Sequence, residues 1–178
     1  MMPMSSAATP ERPARMRRLL GAWIGIAAVV ATADQLTKAV ITGMLYAGEV
    51  REITGFFNLV LAFNRGAAFS ILANASGWQR EFFIGIAVLA SLLILWLLWR
   101  HVAERVFCFG LALILGGAVG NLWDRIVHGH VVDFIQLHVA RLFWPAFNVA
   151  DSAITVGAAL LIWDSFRSRT APPARNET

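Results

Sequence analysis

The chain of 178 residues is 58% hydrophobic and only 15% charged, and its mean hydropathy is +0.63. Soluble domains are about half apolar and roughly a quarter charged, so these values exclude an ordinary soluble protein and indicate an integral membrane protein. The sequence pI of about 10.5 would suit a nucleic-acid partner, but the positions of the basic residues, given below, argue against one. The single cysteine, Cys108, excludes a disulfide framework.

Four apolar windows predict four membrane-spanning helices. A helix needs about 20 apolar residues to cross the hydrocarbon layer, and the windows lie at about 19–41, 82–99, 106–123 and 147–163. We therefore expect residues 1–178 to form a single, mainly α-helical membrane domain. Residues 1–14 and 168–178, rich in Pro, Ser, Ala and polar residues, are expected to be disordered tails.

The basic residues predict the orientation of the chain. Nine of the 15 Lys and Arg residues fall on one side of a four-span arrangement: Arg12, Arg15, Arg17, Arg18, Arg100, Arg105, Arg167, Arg169 and Arg175. The positive-inside rule places that side, with both termini, in the cytoplasm. The first window also resembles a secretory signal with a cleavage site at 31–33, but apolar residues continue beyond it, so we expect an uncleaved first helix.

Two external segments separate the spans. The first, about 43–80, contains "EVREITGFFNLVLAFNRGAAFSIL", whose short β-prone runs, broken at Gly55 and at Arg65-Gly66, predict two or three strands. Exposed backbone is not tolerated in hydrocarbon, so this element is expected on the membrane surface. The second, about 127–145, contains "HGHVVDFIQLHVARLFWP", and Trp123 and Trp144 are expected to anchor its ends at the interface.

Ionisable residues near the membrane are costly and indicate function. Of the five aspartates, Asp164 lies at the cytoplasmic end of span four, and four lie at or near external span ends: Asp34, Asp124, Asp133 and Asp151. Asp34 and Lys38 have the i, i+4 spacing and order of a stabilising helical ion pair.

The end of span three, "GGAVGNLWDR", combines small and polar residues. Gly116 and Gly120 form a G-x-x-x-G pair that permits close helix packing, whereas Gly117, Asn121 and Asp124 share one helical face. For Asp124 two interpretations stay open, an interfacial ion pair with the adjacent Arg125 and a direct part in chemistry.

Asp133 and Asp151 have contrasting surroundings. The apolar neighbours of Asp133 in "HVVDFI" favour its protonated form, although a solvated turn aspartate fits the same pattern. If Asn148 caps the last helix, Asp151 occupies position N3, where the helix dipole favours a carboxylate and a capping box can form. Two carboxylates in contrasting environments are typical of an acid–base pair.

The four histidines and the known nucleophile motifs give little support to other chemistry. His128 and His130 form an H-x-H, but no Cys or Glu nearby completes a zinc set, so no metal site is expected. No G-x-S-x-G, S-x-x-K or P-loop motif is present in the sequence.

Five blocks, in order, resemble the bacterial lipoprotein signal peptidases, the type II signal peptidases: "DQLTK" (34–38), "NRGAAFSIL" (64–72), "GGAVGNLWDR" (116–125), "VVDFI" (131–135) and "FNVADSAITVG" (147–157). The resemblance extends over roughly residues 19–163. It implies a mainly α integral membrane fold, four transmembrane helices with a small antiparallel β-sheet on the external, periplasmic side.

The resemblance also implies an aspartic protease of the bacterial inner membrane. Such an enzyme cuts the signal peptide from a prolipoprotein just before a cysteine that carries a diacylglyceryl group, and globomycin blocks it. The implied catalytic dyad is Asp133 and Asp151. The supporting or substrate-binding positions that it implies are Asp34, Lys38, Asn64, Gly66, Asn121, Asp124, Arg125, Asn148 and Ala150.

The expected mechanism has Asp151 ionised and Asp133 as the proton carrier, with no metal or cofactor. Expected partners are prolipoproteins and membrane lipids, without nucleic acid, and the protein is expected to be a monomer. Two alternatives remain at this point, a small proton- or ion-coupled transporter that uses the aspartates as a relay, and a non-enzymatic assembly factor.

Overall fold

The computed structural model describes residues 11–66 and 78–169, which form four long helices and a small sheet. The helices are α1 (Glu11–Met44), α2 (Gln79–Arg100), α3 (Arg105–Val127) and α4 (Val149–Arg169). Each contains a stretch long and apolar enough to cross a membrane. The predicted fold class is confirmed.

The helices extend beyond the apolar windows that predict them. Helix α1 begins at Glu11, so the expectation of a disordered tail is wrong for residues 11–14, because the helix continues past the apolar stretch through its basic residues. Helix α4 likewise continues to Arg169. The remaining parts of both tails, 1–10 and 170–178, lie outside the described residues.

Helix α3 is the centre of the bundle. Half of its membrane-crossing window is buried (50%), against 11–17% in the other three helices. Its glycines allow the close packing that the G-x-x-x-G pair predicts: a Cβ on Gly116 would lie 2.6 Å from Ala27 O of α1, and one on Gly120 would lie 2.6 Å from Asp34 Oδ2. Any larger residue at either position would push α1 away from α3.

The sheet joins the two segments that the sequence analysis treats separately. Its strands are β1 (Val50–Thr54), β2 (Phe57–Asn64), β3 (Val131–Val139) and β4 (Leu142–Phe143). They are antiparallel in the order β1-β2-β3-β4. Among the described residues of the first segment there are two strands, as expected. Strands β3 and β4 lie in the second segment, for which the sequence analysis predicts no strands, and residues 67–77 lie outside the described part of the chain.

The sheet packs on the helix ends through a small apolar core. Ile41 of α1 and Leu45, the residue that follows α1, pack with Leu61, Val132 and Phe134 of the sheet. An isolated bridge between Ile135 and Phe147 ties β3 to the residue just before the α4 cap. Asp133 on β3 is thereby held beside the beginning of α4.

Candidate active site

Helix α4 begins with a reciprocal capping box. The Asp151 N–H donates to Asn148 Oδ1 at 2.9 Å, and the Asn148 N–H donates to Asp151 Oδ2 at 3.3 Å. Both interactions satisfy groups that a helix start leaves without partners. The predicted cap is confirmed, and it points the Asp151 carboxylate back toward the sheet.

Asp133 lies between the sheet and the beginning of α4. It is almost completely buried, with 3% of its surface exposed. Its two oxygens accept one amide hydrogen bond each, Oδ1 from Asn148 Nδ2 at 2.8 Å and Oδ2 from Asn64 Nδ2 at 3.0 Å. Burial, and then the like charge of the neighbouring Asp151, raise the pKa of Asp133 to about 7. The expectation that its surroundings favour the protonated form is confirmed.

Neutral amides hold both carboxylates. Asp151 Oδ1 accepts from Asn121 Nδ2 at 2.8 Å, so that all four carboxylate oxygens of the pair have amide donors. Among the ion pairs of the described residues, none involves Asp133 or Asp151. Because neither acid is paired with a cation, the repulsion between the two carboxylates can be relieved when they share one proton.

A buried ionic triad lies behind this pair, where α1 meets α3. The Lys38 ammonium donates to Asp34 Oδ2 at 2.7 Å and to Asp124 Oδ2 at 2.8 Å. Its third contact is Asn121 Oδ1 at 3.0 Å. The predicted Asp34–Lys38 pair is present, and Asn121 links the triad to Asp151.

Each carboxylate of the triad also binds the backbone next to one of the paired aspartates. Asp34 Oδ1 accepts from the Ala150 N–H at 2.9 Å, and Asp124 Oδ2 accepts from the Val132 N–H at 3.2 Å. Ala150 precedes Asp151, and Val132 precedes Asp133. The triad therefore fixes the positions of α4 and β3 relative to each other, and Ala150 is fully buried at this contact.

The structure corrects the interpretation of Asp124 and Arg125 as an interfacial ion pair. Asp124 pairs with Lys38 instead, because its side chain faces α1 across the helix interface. Arg125 donates to the Gly66 carbonyl at 3.3 Å and lies over the Phe83 ring at 5.2 Å. The Gly66 N–H in turn donates to Asn64 Oδ1 at 3.0 Å, so Arg125 orients Asn64 toward Asp133 through the turn at Gly66.

Gln35 is a polar residue of this site that the sequence analysis did not select. Its Nε2 donates to Asp124 Oδ1 at 2.8 Å, to the Gly120 carbonyl at 3.1 Å and to Asp34 Oδ2 at 3.3 Å. Gln35 therefore adds an uncharged hydrogen-bond donor to the triad of two acidic residues and one basic residue. The available signal was its position in the "DQLTK" block, as an uncharged polar side chain inside an apolar helix.

An open, mostly apolar cleft of about 470 Å³ runs beside Asp151, between the β3–β4 region and α4. Its polar wall includes Asn64 and Asp151. Its remaining lining residues are Leu137, Trp144, Pro145, Ala146, Phe147, Ser152, Thr155 and Val156. An extended segment with apolar side chains could lie in this cleft against Asp151.

No group of three or more His, Cys, Asp and Glu side chains within the described residues could hold a metal ion. The rings of His128 and His130 lie 6.2 Å apart, and His130 packs on Phe63 at 4.4 Å.

Comparison with known proteins gives a consistent result. Residues 26–167 match the family model described as signal peptidase (SPase) II. A lipoprotein signal peptidase of Ralstonia nicotianae is 59% identical over 148 residues, 83% of this chain and 86% of that protein. One from Cupriavidus taiwanensis is 52% identical over 169 residues, 92% of this chain and 96% of that protein.

Two solved structures share the fold. A bacterial membrane enzyme determined by the in meso method at 2.3 Å resolution superposes with a TM-score of 0.78 at 30% identity, and covers 89% of this chain and 95% of its own. Another, at 1.9 Å resolution, gives a TM-score of 0.72 at 32% identity, with 83% and 94% covered.

Proposed function

Because the chain belongs to the signal peptidase II family and is an aspartic-type peptidase, we propose that it removes signal peptides from prolipoproteins. The cut falls just before the cysteine that carries a diacylglyceryl group, and Asp133 and Asp151 form the catalytic dyad. The enzyme is placed in the bacterial inner membrane, with both termini cytoplasmic and the dyad at the periplasmic face. It acts as a monomer and needs no cofactor.

The observation that carries this proposal is a pair of neighbouring carboxylates, buried Asp133 and half-buried Asp151, which among the described residues accept hydrogen bonds from neutral amides alone. Asp151 lies in the wall of an apolar cleft. Peptide hydrolysis by two carboxylates needs one ionised and one protonated, and a cation paired with the proton carrier would hold it ionised. The amide donors orient the oxygens and leave the pair free to share one proton.

The roles of the two acids follow from their surroundings. Ionised Asp151, whose carboxylate accepts from Asn148 N–H and Asn121 Nδ2, takes a proton from a water molecule as that water attacks the scissile carbonyl. Asp133, whose pKa is raised to about 7, donates its proton to the carbonyl oxygen. When the tetrahedral intermediate collapses and the C–N bond breaks, Asp151 gives its proton to the leaving nitrogen and Asp133 takes a proton back from a hydroxyl of the gem-diol. The dyad thereby regains its single shared proton.

The supporting residues act on these two acids through contacts. Asn64 and Asn148 orient Asp133, Asn121 orients Asp151, and Arg125 positions Asn64 through Gly66. Asp34, Lys38 and Asp124 hold the backbone on which the dyad is mounted.

The decisive experiment is incubation of the purified protein, reconstituted in phospholipid nanodiscs, with a diacylglyceryl-modified prolipoprotein. Mass spectrometry should find a product that begins at the lipidated cysteine, and globomycin should prevent its formation. The same precursor without the lipid is the matched substrate control and should be cut poorly. An intact modified precursor would overturn the proposal, and a proton flux across proteoliposomes in its place would favour the transporter alternative.

A further inference from the structure

The end of the sheet farthest from the α1–α3 contact exposes a cluster of large apolar side chains. In the β2–β3 register, Asn64 pairs with Val131 at one end and Phe57 with Leu137 at the other. The β1–β2 turn meets the β3–β4 hairpin at this second end, where the His138 N–H donates to the Phe56 carbonyl at 2.9 Å. The exposed residues there, from 59% to 81% exposed, are Phe56, Val139, Leu142, Phe143 and Trp144. We call this group the apolar tip.

The hairpin presents these side chains in a fixed arrangement. His138 pairs with Phe143 and Val139 with Leu142, which leaves Ala140 and Arg141 as a two-residue turn. The Ala140 φ of 52° is the left-handed conformation that such tight turns require. The His138 ring also stacks on Phe143 at 5.1 Å, which holds the strands together up to the turn.

Water is an unfavourable surrounding for the apolar tip. Contiguous exposed apolar patches usually mark a contact with another protein or with a membrane. The apolar surface continues from the tip into the membrane-spanning part of the molecule, because Trp144 of the tip and Val156 of α4 line the same cleft. Only residues 145–148 separate Trp144 from the beginning of α4, so the tip is tethered close to the bilayer.

The charge at the tip fits a phospholipid surface. Arg141, at the turn, is exposed and flanked by the apolar side chains of Val139 and Leu142. Among the ion pairs of the described residues, none involves Arg141. Phe143 and Trp144 follow Arg141 closely in the chain. A basic residue near aromatic residues is typical of protein segments that lie in the headgroup region, where the guanidinium meets lipid phosphate.

We propose that the apolar tip inserts into the leaflet that adjoins the sheet, with Arg141 bound to the phosphate of an anionic phospholipid. The hairpin then holds the open side of the cleft at the depth of the headgroups. This inference depends on the membrane-spanning helices and the shape of the sheet. It does not depend on the proposed dyad, and its test needs no turnover.

The depth of the tip can be measured with an environment-sensitive fluorophore. Position 142 is labelled with a nitrobenzoxadiazole probe through Leu142→Cys, and Glu52→Cys, an exposed polar position on β1, is the matched control. Cys108 is fully buried and is kept, and mock-labelled wild-type protein is the blank. The labelled proteins are reconstituted in nanodiscs of phosphatidylcholine with phosphatidylglycerol, with and without brominated acyl chains.

We expect blue-shifted emission and quenching by brominated lipid at position 142, and neither at position 52. Arg141→Gln should reduce the preference of the tip for phosphatidylglycerol over phosphatidylcholine by about fivefold, the factor for one basic residue at an anionic surface. Unquenched probe at position 142 would overturn the proposal. A blue shift without quenching that grows with protein density would also overturn it, because it indicates contact with a second copy of the chain. So would a blue shift that appears only when prolipoprotein is added, because it indicates contact with bound substrate.

Discussion

Two neighbouring clusters at the sheet end of the bundle each contain two aspartates, all buried except half-buried Asp151, and they differ in what lies between the acids. Asp34 and Asp124 are joined by the Lys38 ammonium at 2.7 and 2.8 Å. Asp133 and Asp151 have only amide donors from Asn64, Asn121 and Asn148. The first cluster is thus suited to hold structure, and the second to exchange a proton.

Asn121 connects the two clusters through hydrogen bonds and adds no charge of its own. Its Oδ1 accepts from Lys38 and its Nδ2 donates to Asp151. A basic or acidic residue at position 121 would place an additional charge directly against Asp151. An amide transmits position without transferring charge, which is why an asparagine suits the boundary.

Neutralising one acid in each cluster should give the largest difference between the two clusters in processing and thermal stability. Asp133→Asn and Asp151→Asn should lower prolipoprotein processing by on the order of 10²–10⁴-fold, with the protein still folded and inserted. Asp124→Asn should lower processing together with the melting temperature, because it loosens the Val132 N–H and Lys38 contacts. Gel-based processing and thermal melting in detergent measure both.

Normal processing by either dyad variant would refute the assignment of Asp133 and Asp151. Loss of processing by Asp124→Asn at full thermal stability would instead place Asp124 with the reacting groups.

Removing the lysine tests the structural cluster. Lys38→Met leaves two buried carboxylates without their cation and should destabilise the protein by about 3–5 kcal/mol. Arg51→Met is the matched control, because the Arg51–Glu49 pair is partly exposed, at 46% and 27%, and such pairs contribute about 0–1 kcal/mol. Unfolding in mixed micelles of increasing denaturing detergent gives both values, and equal losses would show that the triad is not a stabilising unit.

Gln35 tests whether the neutral donor matters to the structural cluster. Gln35→Leu removes its hydrogen bonds to both acids and should cost about 1–3 kcal/mol of unfolding free energy. Thr37→Val is the control on the same helix, since within the described part of the chain the Thr37 hydroxyl bonds only to the carbonyls of Ala33 and Asp34 in its own helix. If the two variants were equally stable, Gln35 would have no special part in the cluster.

The pH dependence of processing and of stability tests the part of Asp133. If Asp133 must be protonated, processing should fall about tenfold per pH unit above the pKa of about 7. Because that pKa is raised, protonated Asp133 contributes stability that is complete below the unfolded-state pKa of 3.8 and is lost as the pH rises through about 7.

Two measurements check the pH effect, the pH profile of processing and the pH dependence of melting for the wild type and Asp133→Asn. The variant should lack the stability loss between these pH values. A processing rate that does not change from pH 6 to pH 9 would contradict the assignment of Asp133 as proton carrier.

Much of the fold could be predicted from the sequence because hydrophobicity is a local property. The four apolar windows each became a helix, and Gly55 and the Arg65-Gly66 pair mark the limits of β1 and β2. Strands β3 and β4 were missed because β3 is stabilised by pairing with β2, more than 60 residues away in the chain (Asn64 with Val131). The helix ends at Glu11 and Arg169 were missed because polar residues can continue a helix beyond its apolar part.

The sequence by itself determined the class of the protein, its four spans, the Asn148–Asp151 cap and, through five ordered blocks, the family. Each of these depends on composition or on residues a few positions apart. Only the tertiary structure decided that Asp124 pairs with Lys38 instead of Arg125, and that Gln35 joins them. The physical reason is that these contacts cross from α1 to α3, and local spacing does not specify which helix faces lie against each other.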